Sequence, residues 1–168
     1  EAGALPTDYE ILFAEGRQLI ASLKLVAVPS TGRAYFAAIK TGGISFTVKT
    51  STGYAKVINT VGTYGSTTGT GNPATAITLT IIATGTHRAF GVSATDAAGN
   101  HSGNLTEIFV EALRLTAIDL GSATSLVKVT CTDNLLTELD VSTNTALTEL
   151  SCQTNQLTEL DLSTNTAL

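Results

Sequence analysis

The chain has no tryptophan and no methionine, and aromatic residues fill only 5% of its 168 positions. A hydrophobic core must therefore be assembled from Val, Ile, Leu and Ala rather than from large rings. No stretch reaches the roughly 20 consecutive apolar residues of a membrane-crossing helix, so no membrane span is expected. The opening "EAGALPTDYE" lacks the basic-then-apolar layout of a secretory signal. It also lacks an initial Met, which suits a processed product or a piece of something longer.

Basic residues are nearly missing from the C-terminal third. Between Leu115 and Leu168, Lys128 stands against seven acids (Asp119, Asp133, Glu138, Asp140, Glu149, Glu159, Asp161), a net charge of −6. Residues 1–114 carry the remaining seven acids and eight bases, a net +1. The acidic part argues against phosphate-backbone binding, which needs clustered Lys and Arg, so no nucleic-acid partner is expected. A solvated, soluble face is the simplest use for the acids.

What is abundant is Gly, Ser, Thr and β-branched residues, a composition of strands and turns. Residues 1–21 stand apart. "DYEILFAEGRQLIASL" (Asp8–Leu23) spaces Ile11, Leu12, Leu19, Ile20 and Leu23 loosely as a helix would, with Gly16 interrupting. A tether or docking segment fits it, as does an irregular lead-in.

Residues 22–112 read as short strands: "SLKLVAV", "RAYFAAIK", "ISFTVKT", "YAKVINTV", "TAITLTIIA", "HRAFGVSAT" and "LTEIFVE". Period-2 alternation (Ile44, Phe46, Val48; Phe90, Val92, Ala94) between turn clusters is the pattern of a β-sandwich. The polar run "YGSTTGTGNP" (Tyr64–Pro73) reads as a flexible loop, either a plain connection or a binding loop at the tip. "FGVSATDAAGNHSGNL" (Phe90–Leu105) resembles the end of bacterial immunoglobulin-like and fibronectin type III-like modules. There a D-x-A-G-N-x-S turn joins the last two strands. Asp96 and Asn100 can bond their own backbone, and Gly99 can take a positive φ.

From Leu115 the letters recur at a fixed period of 21. Leu115, Leu136 and Leu157 align, as do Ile118, Leu139 and Leu160; Leu120, Val141 and Leu162; and Leu126, Leu147 and Leu168. Val129 aligns with Leu150, Cys131 with Cys152, Asn134 with Asn155, and Asn144 with Asn165. Each period holds two halves, L-x-x-L-x-C-x-x-N and L-x-x-L-x-V/L-x-x-N. This resembles the leucine-rich repeat pattern, and is similar to repeats of secreted and surface proteins of Bacteroidota-type bacteria. The opening repeat departs from it, with Ala123 where Asn144 and Asn165 stand later, as suits a repeat whose outer neighbour is a different structure.

The physical expectation is a coil. One turn cannot bury its own leucines, whereas turns stacked about 4.8 Å apart can. The Leu, Ile, Val and Cys positions become core, and the four asparagines form a ladder inside the bends. Stacking sets Lys128 over Glu149 and Glu138 over Glu159. It also aligns Asp119, Asp140 and Asp161, whose carboxylates must be solvated, bonded to bends or bound to a cation. Cys131 and Cys152 are one position seen twice. In-register neighbours on parallel strands have poor disulfide geometry, and zinc would need further ligands. Both are expected to be buried free thiols.

No catalytic pattern is present. There is no G-x-S-x-G, and "GSTTGTGNP" lacks the Lys of a phosphate loop. His87 and His101 are expected in exposed loops. No catalytic, cofactor-binding or metal-ligating residue is assigned, and no cofactor is expected.

The sequence thus predicts a mainly β protein. Residues 1–21 are a tether or docking segment, 22–112 an immunoglobulin-like sandwich, and 113–168 the start of a leucine-rich repeat solenoid, incomplete at its C-terminal end. The resemblance implies a non-enzymatic adhesion or recognition module, extracellular or at a cell surface, with a protein or surface glycan as ligand. The alternative is a structural virion component, a head fibre or decoration protein of a phage infecting such bacteria, whose partners are other virion proteins. Homo-oligomerisation is compatible with either.

Overall fold

The structure, a computed structural model, describes residues 17–18, 20, 32–40, 42–61, 64–65, 68–70, 76–83 and 88–168. The expected strand "SLKLVAV" and His87 lie outside them, as does most of the N-terminal segment.

The chain is mainly β. Its strands are β1 (Arg33–Ala38), β2 (Ile44–Thr50), β3 (Tyr54–Val61), β4 (Tyr64–Gly65), β5 (Thr68–Thr70), β6 (Ile77–Ala83), β7 (Arg88–Ala94), β8 (Leu105–Phe109), β9 (Leu115–Asp119), β10 (Lys128–Thr130) and β11 (Glu149–Ser151). They form two open sheets. One has five strands in the order β5-β3-β7-β1-β9, the other six in the order β11-β10-β8-β2-β6-β4. Neighbours are antiparallel except β8, β10 and β11, which run parallel to one another.

The core lies between the sheets. In β2 the burial alternates, so that Ile44, Phe46 and Val48 point inward. Opposite them stand Phe36 of β1 and Phe90 and Val92 of β7. The rings of Phe36, Phe46 and Phe90 gather with centroids 5.2 to 6.0 Å apart. These three of the chain's five phenylalanines supply the ring packing of an otherwise aliphatic interior.

The polar run expected to be a loop holds the two short strands β4 and β5. Thr68–Thr70 pairs with Lys56–Tyr54, and Tyr64–Gly65 pairs with Ala83–Ile82. In β5 the β-branched Thr68 and Thr70 suit an edge strand, and the surrounding glycines hid that in the sequence.

From β8 onward the chain alternates between the two sheets. β8 lies in the six-stranded sheet, β9 crosses to the five-stranded one, and β10 returns to pair with β8. The pairing is one full period out of step: Glu107, Ile108 and Phe109 with Lys128, Val129 and Thr130, and those in turn with Glu149, Leu150 and Ser151. On the other side Leu135 N donates to Leu115 O at 2.9 Å and Gln156 N to Leu136 O at 2.8 Å.

The register of the repeat therefore starts before residue 113. Leu105, Leu126 and Leu147 are fully buried in one column, as are Val110 and Cys131 in another. The backbone agrees. Ala112, Asp133 and Thr154 follow one another at the same period, and all take positive φ, at 53°, 56° and 55°. One hydrophobic core runs from Phe36 through Leu105 and Leu126 to Leu147, with no break at 112/113. β8 both completes the first unit and begins the repeat.

Candidate binding surface

The repeat's inner side is packing, not a site. Leu115, Leu120, Leu126, Val129, Cys131, Leu136, Leu139, Val141 and Leu147 are buried. Ile118, Leu150, Cys152, Leu157 and Leu160 are partly buried against them. These five and Leu162 fall short of the full burial expected of them. Leu162 is 39% exposed, because it sits on the outermost turn with a neighbouring turn on one side. Cys152 is half-buried rather than buried, for the same reason. Both cysteines are free thiols. Burial, aided by the neighbouring Cys152 sulfur, pushes the Cys131 thiol up to about 12, and burial raises that of Cys152. Neither is an activated nucleophile at neutral pH.

The bends are held by the asparagines. Asn134 Nδ2 donates to Val110 O (2.7 Å) and Cys131 O (3.0 Å), while its Oδ1 accepts from Leu113 N and Leu115 N. Asn155, half-buried, repeats this with Cys131 O, Cys152 O and Leu136 N. Asn144 Nδ2 donates to Leu120 O and Ala123 O, and Asn165 Nδ2 to Val141 O and Asn144 O. Each side chain bonds carbonyls of its own turn or of the one before, which fixes the stacking distance. At Ala123 the bend is closed by backbone alone, Ala123 N to Leu120 O and Leu126 N to Ala123 O.

The outer side carries order of a different kind. On the six-stranded sheet Lys49, Glu107, Lys128 and Glu149 stand on neighbouring strands β2, β8, β10 and β11. Lys49 Nζ meets Glu107 Oε1 at 2.9 Å, and Lys128 Nζ bonds Glu149 Oε2. The sequence revealed the Lys128–Glu149 step through its period, but not the Lys49–Glu107 step. Thr132 Oγ1 likewise donates to Glu111 Oε1, one turn away, at 2.9 Å.

The opposite side forms a groove of about 550 Å³ lined by Glu138, Leu139, Asp140, Ser142, Glu159, Leu160 and Asp161. Leu139 and Leu160 are its apolar lining, with carboxylates alongside. The aspartates are tied to the bends: Asp119 Oδ1 accepts from Gly121 N, Asp140 Oδ1 from Ser142 N and Asp161 Oδ1 from Ser163 N, all at 2.8 to 2.9 Å. Hydrogen bonds from the Ser142 side chain and backbone hold Asp140 below the ordinary carboxylate value, and those from Ser163 do so for Asp161. Both therefore stay ionised throughout the neutral range. Among the described residues no group of three or more His, Cys, Asp and Glu is placed to hold a metal ion. No helix among them is long and apolar enough to cross a membrane.

The turn after β7 is fixed by its own side chains. Asp96 accepts from Asn100 N at 2.9 Å and Asn100 Nδ2 at 3.2 Å, Gly99 has φ 83°, and Lys56 Nζ donates to Gly99 O. His101 is half-buried rather than exposed. It bridges Thr95, and its Nδ1 lies 2.7 Å from Ser93 Oγ. That hydroxyl also donates to Ala94 O, and Ser93 is fully buried, so the pair serves to lock the turn.

Compared with known proteins, the chain matches no protein-family model, no curated protein and no solved structure.

Proposed function

We propose that this chain is a non-enzymatic binding module, an immunoglobulin-like sandwich that continues into the first turns of a leucine-rich repeat solenoid. Its ligand is a protein or surface glycan met outside the cell or at its surface. The observation that supports this best is the division of labour along the register of the repeat. Apolar side chains and asparagines are consumed in holding the turns together, while the outer side presents fixed columns of charge beside an open groove. A preformed surface loses little conformational entropy on binding, and such rigid extended faces are how stacked repeats recognise partners. No catalytic role is proposed for any residue. Ser93 and Cys131 are fully buried, and the carboxylates of Asp140 and Asp161 are engaged in bends.

The test is to probe the full chain against glycan and peptide arrays beside a Glu159→Lys variant that halves the negative charge of the groove's four carboxylates without touching the core. A ligand held by the parent and lost by the variant, at unchanged melting temperature, supports the reading. If every ligand bound by the parent is bound equally by the variant, the groove is not the binding surface. Substrate turnover abolished by a single substitution would overturn the non-enzymatic assignment.

A further inference from the structure

The inner faces of the two sheets bury each other, but part of the outer face of the five-stranded sheet is buried as well. Tyr35, Ala37, Ala89 and Ala117 all point away from the main core, yet none exceeds 3% exposure. They form a second, separate cluster, with Ile58 packed at its side. The pairing register explains its shape. Ala37 faces Ala89 on one flank and Ala117 on the other, so three alanines lie in a row across β7, β1 and β9. Beside that row the Tyr35 ring and Ile58 lie over Gly91, where an added Cβ would fall 2.9 to 3.0 Å from them. The result is a shallow strip of small residues walled by larger ones.

One further described residue belongs to this cluster, Ile20, itself only 5% exposed. Residues 17, 18 and 20 are helical. Arg17, three positions before Ile20, reaches Glu138 Oε1 at 3.6 Å. Glu138 stands one period after Ala117, so the alanine row runs on into it along the repeat. The dimensions agree. Three helical residues advance about 4.5 Å, close to the strand spacing of about 4.8 Å. A helical step of three residues from Ile20 on the alanines thus suffices to bring Arg17 one row further, to the acid.

We propose that this strip is a docking seat for an amphipathic helix with an aliphatic anchor and an arginine three residues before it. The chain's own segment around Arg17 and Ile20 is its occupant. The segment sits there in cis, and when it is released the same segment of a second copy enters in its place. The seat is specific at both ends. Alanines admit a close helix that larger residues would hold off, and Glu138 selects the basic side chain. Glu138 also lines the groove described above, but the ligand here is the chain itself and the seat proper is the alanine row.

The experiment uses the full chain and its Ile20→Asp variant. Trypsin cleaves after Arg17 only when the helix opens, so the variant should be cut there about tenfold faster or more, with the melting temperature of the β core unchanged. The milder Ile20→Ala should fall between them. A fluorescent peptide of residues 8–23 should then bind saturably to Ile20→Asp but not to the parent, where the tethered segment holds the seat at a high effective concentration. Adding Glu138→Arg to the variant should weaken uptake several-fold, and a peptide carrying Arg17→Glu should restore it. Equal cleavage of parent and variant would overturn the proposal, as would peptide uptake by both chains or by neither. Self-association of Ile20→Asp without peptide uptake would overturn it too, since the bare face would then be pairing with its like.

Discussion

Asn134 shows how much one side chain can hold. It satisfies Leu113 N, Leu115 N and Val110 O from within a bend that water does not reach. Asn134→Ala strands these groups, so it should cost at least about 2 kcal/mol, the scale of leaving buried polar atoms unpaired. Asn155→Ala, half-buried on a later turn, should cost about half as much. Urea unfolding of the two variants checks the ranking, and equal losses would mean that the ladder is not the source. The aspartates give a pH signature. Asp140 and Asp161 have folded values below the ordinary 3.8. Their contribution is thus fully present above 3.8 and is lost as pH falls through the lower folded values. The melting temperature should be level above about pH 5 and fall below about pH 4, with a shallower fall in Asp140→Asn.

At the scale of the element, the repeated bend matters more than the strands, which are only three residues long at β10 and β11. Ala112, Asp133 and Thr154 all hold the left-handed conformation there. That conformation costs an L-residue about 1–2 kcal/mol, most of all a β-branched one such as Thr154. Thr154→Gly should therefore stabilise the chain by about 0.5–1 kcal/mol after the added freedom of the unfolded glycine is set against it. A loss of stability on chemical denaturation would contradict the bend geometry. These elements were unevenly legible in the sequence. Leu126, Leu147 and the asparagines announced themselves by recurring as identical letters. Leu105, Ile108 and Val110 occupy the same columns one turn earlier, yet the chain places Leu113 where the next turns place Asn134 and Asn155. With the asparagine absent, the pattern begins in the structure a full half-turn before it can be read in the letters. The acid-lined groove was legible only as columns of like charge; that leucines line it beside them depends on how the turns fold back.

For the whole molecule, the continuous core has a thermodynamic consequence. All four tyrosines lie between Tyr9 and Tyr64, far in sequence from Leu147. Leu147→Ala should cost about 2–5 kcal/mol as a buried large-to-small change. Because Leu147 and Phe36 share one core, the tyrosine signal should melt together with the far-ultraviolet circular dichroism, both at a lowered midpoint. A tyrosine transition left at the parent temperature would show that the two parts unfold independently.

By itself the sequence determined the repeat's period and which side of each turn faces inward. Those follow from translation: once the length of a turn is known, every neighbour is found by counting. Only the tertiary structure decided where the repeat joins the first unit, that Lys49 meets Glu107, and that Ile20 and Arg17 lie on the alanine row and on Glu138. These contacts join segments far apart in the chain. Each exists because the fold sets particular distant strands side by side, and no local pattern of letters encodes which strand will be there to meet them.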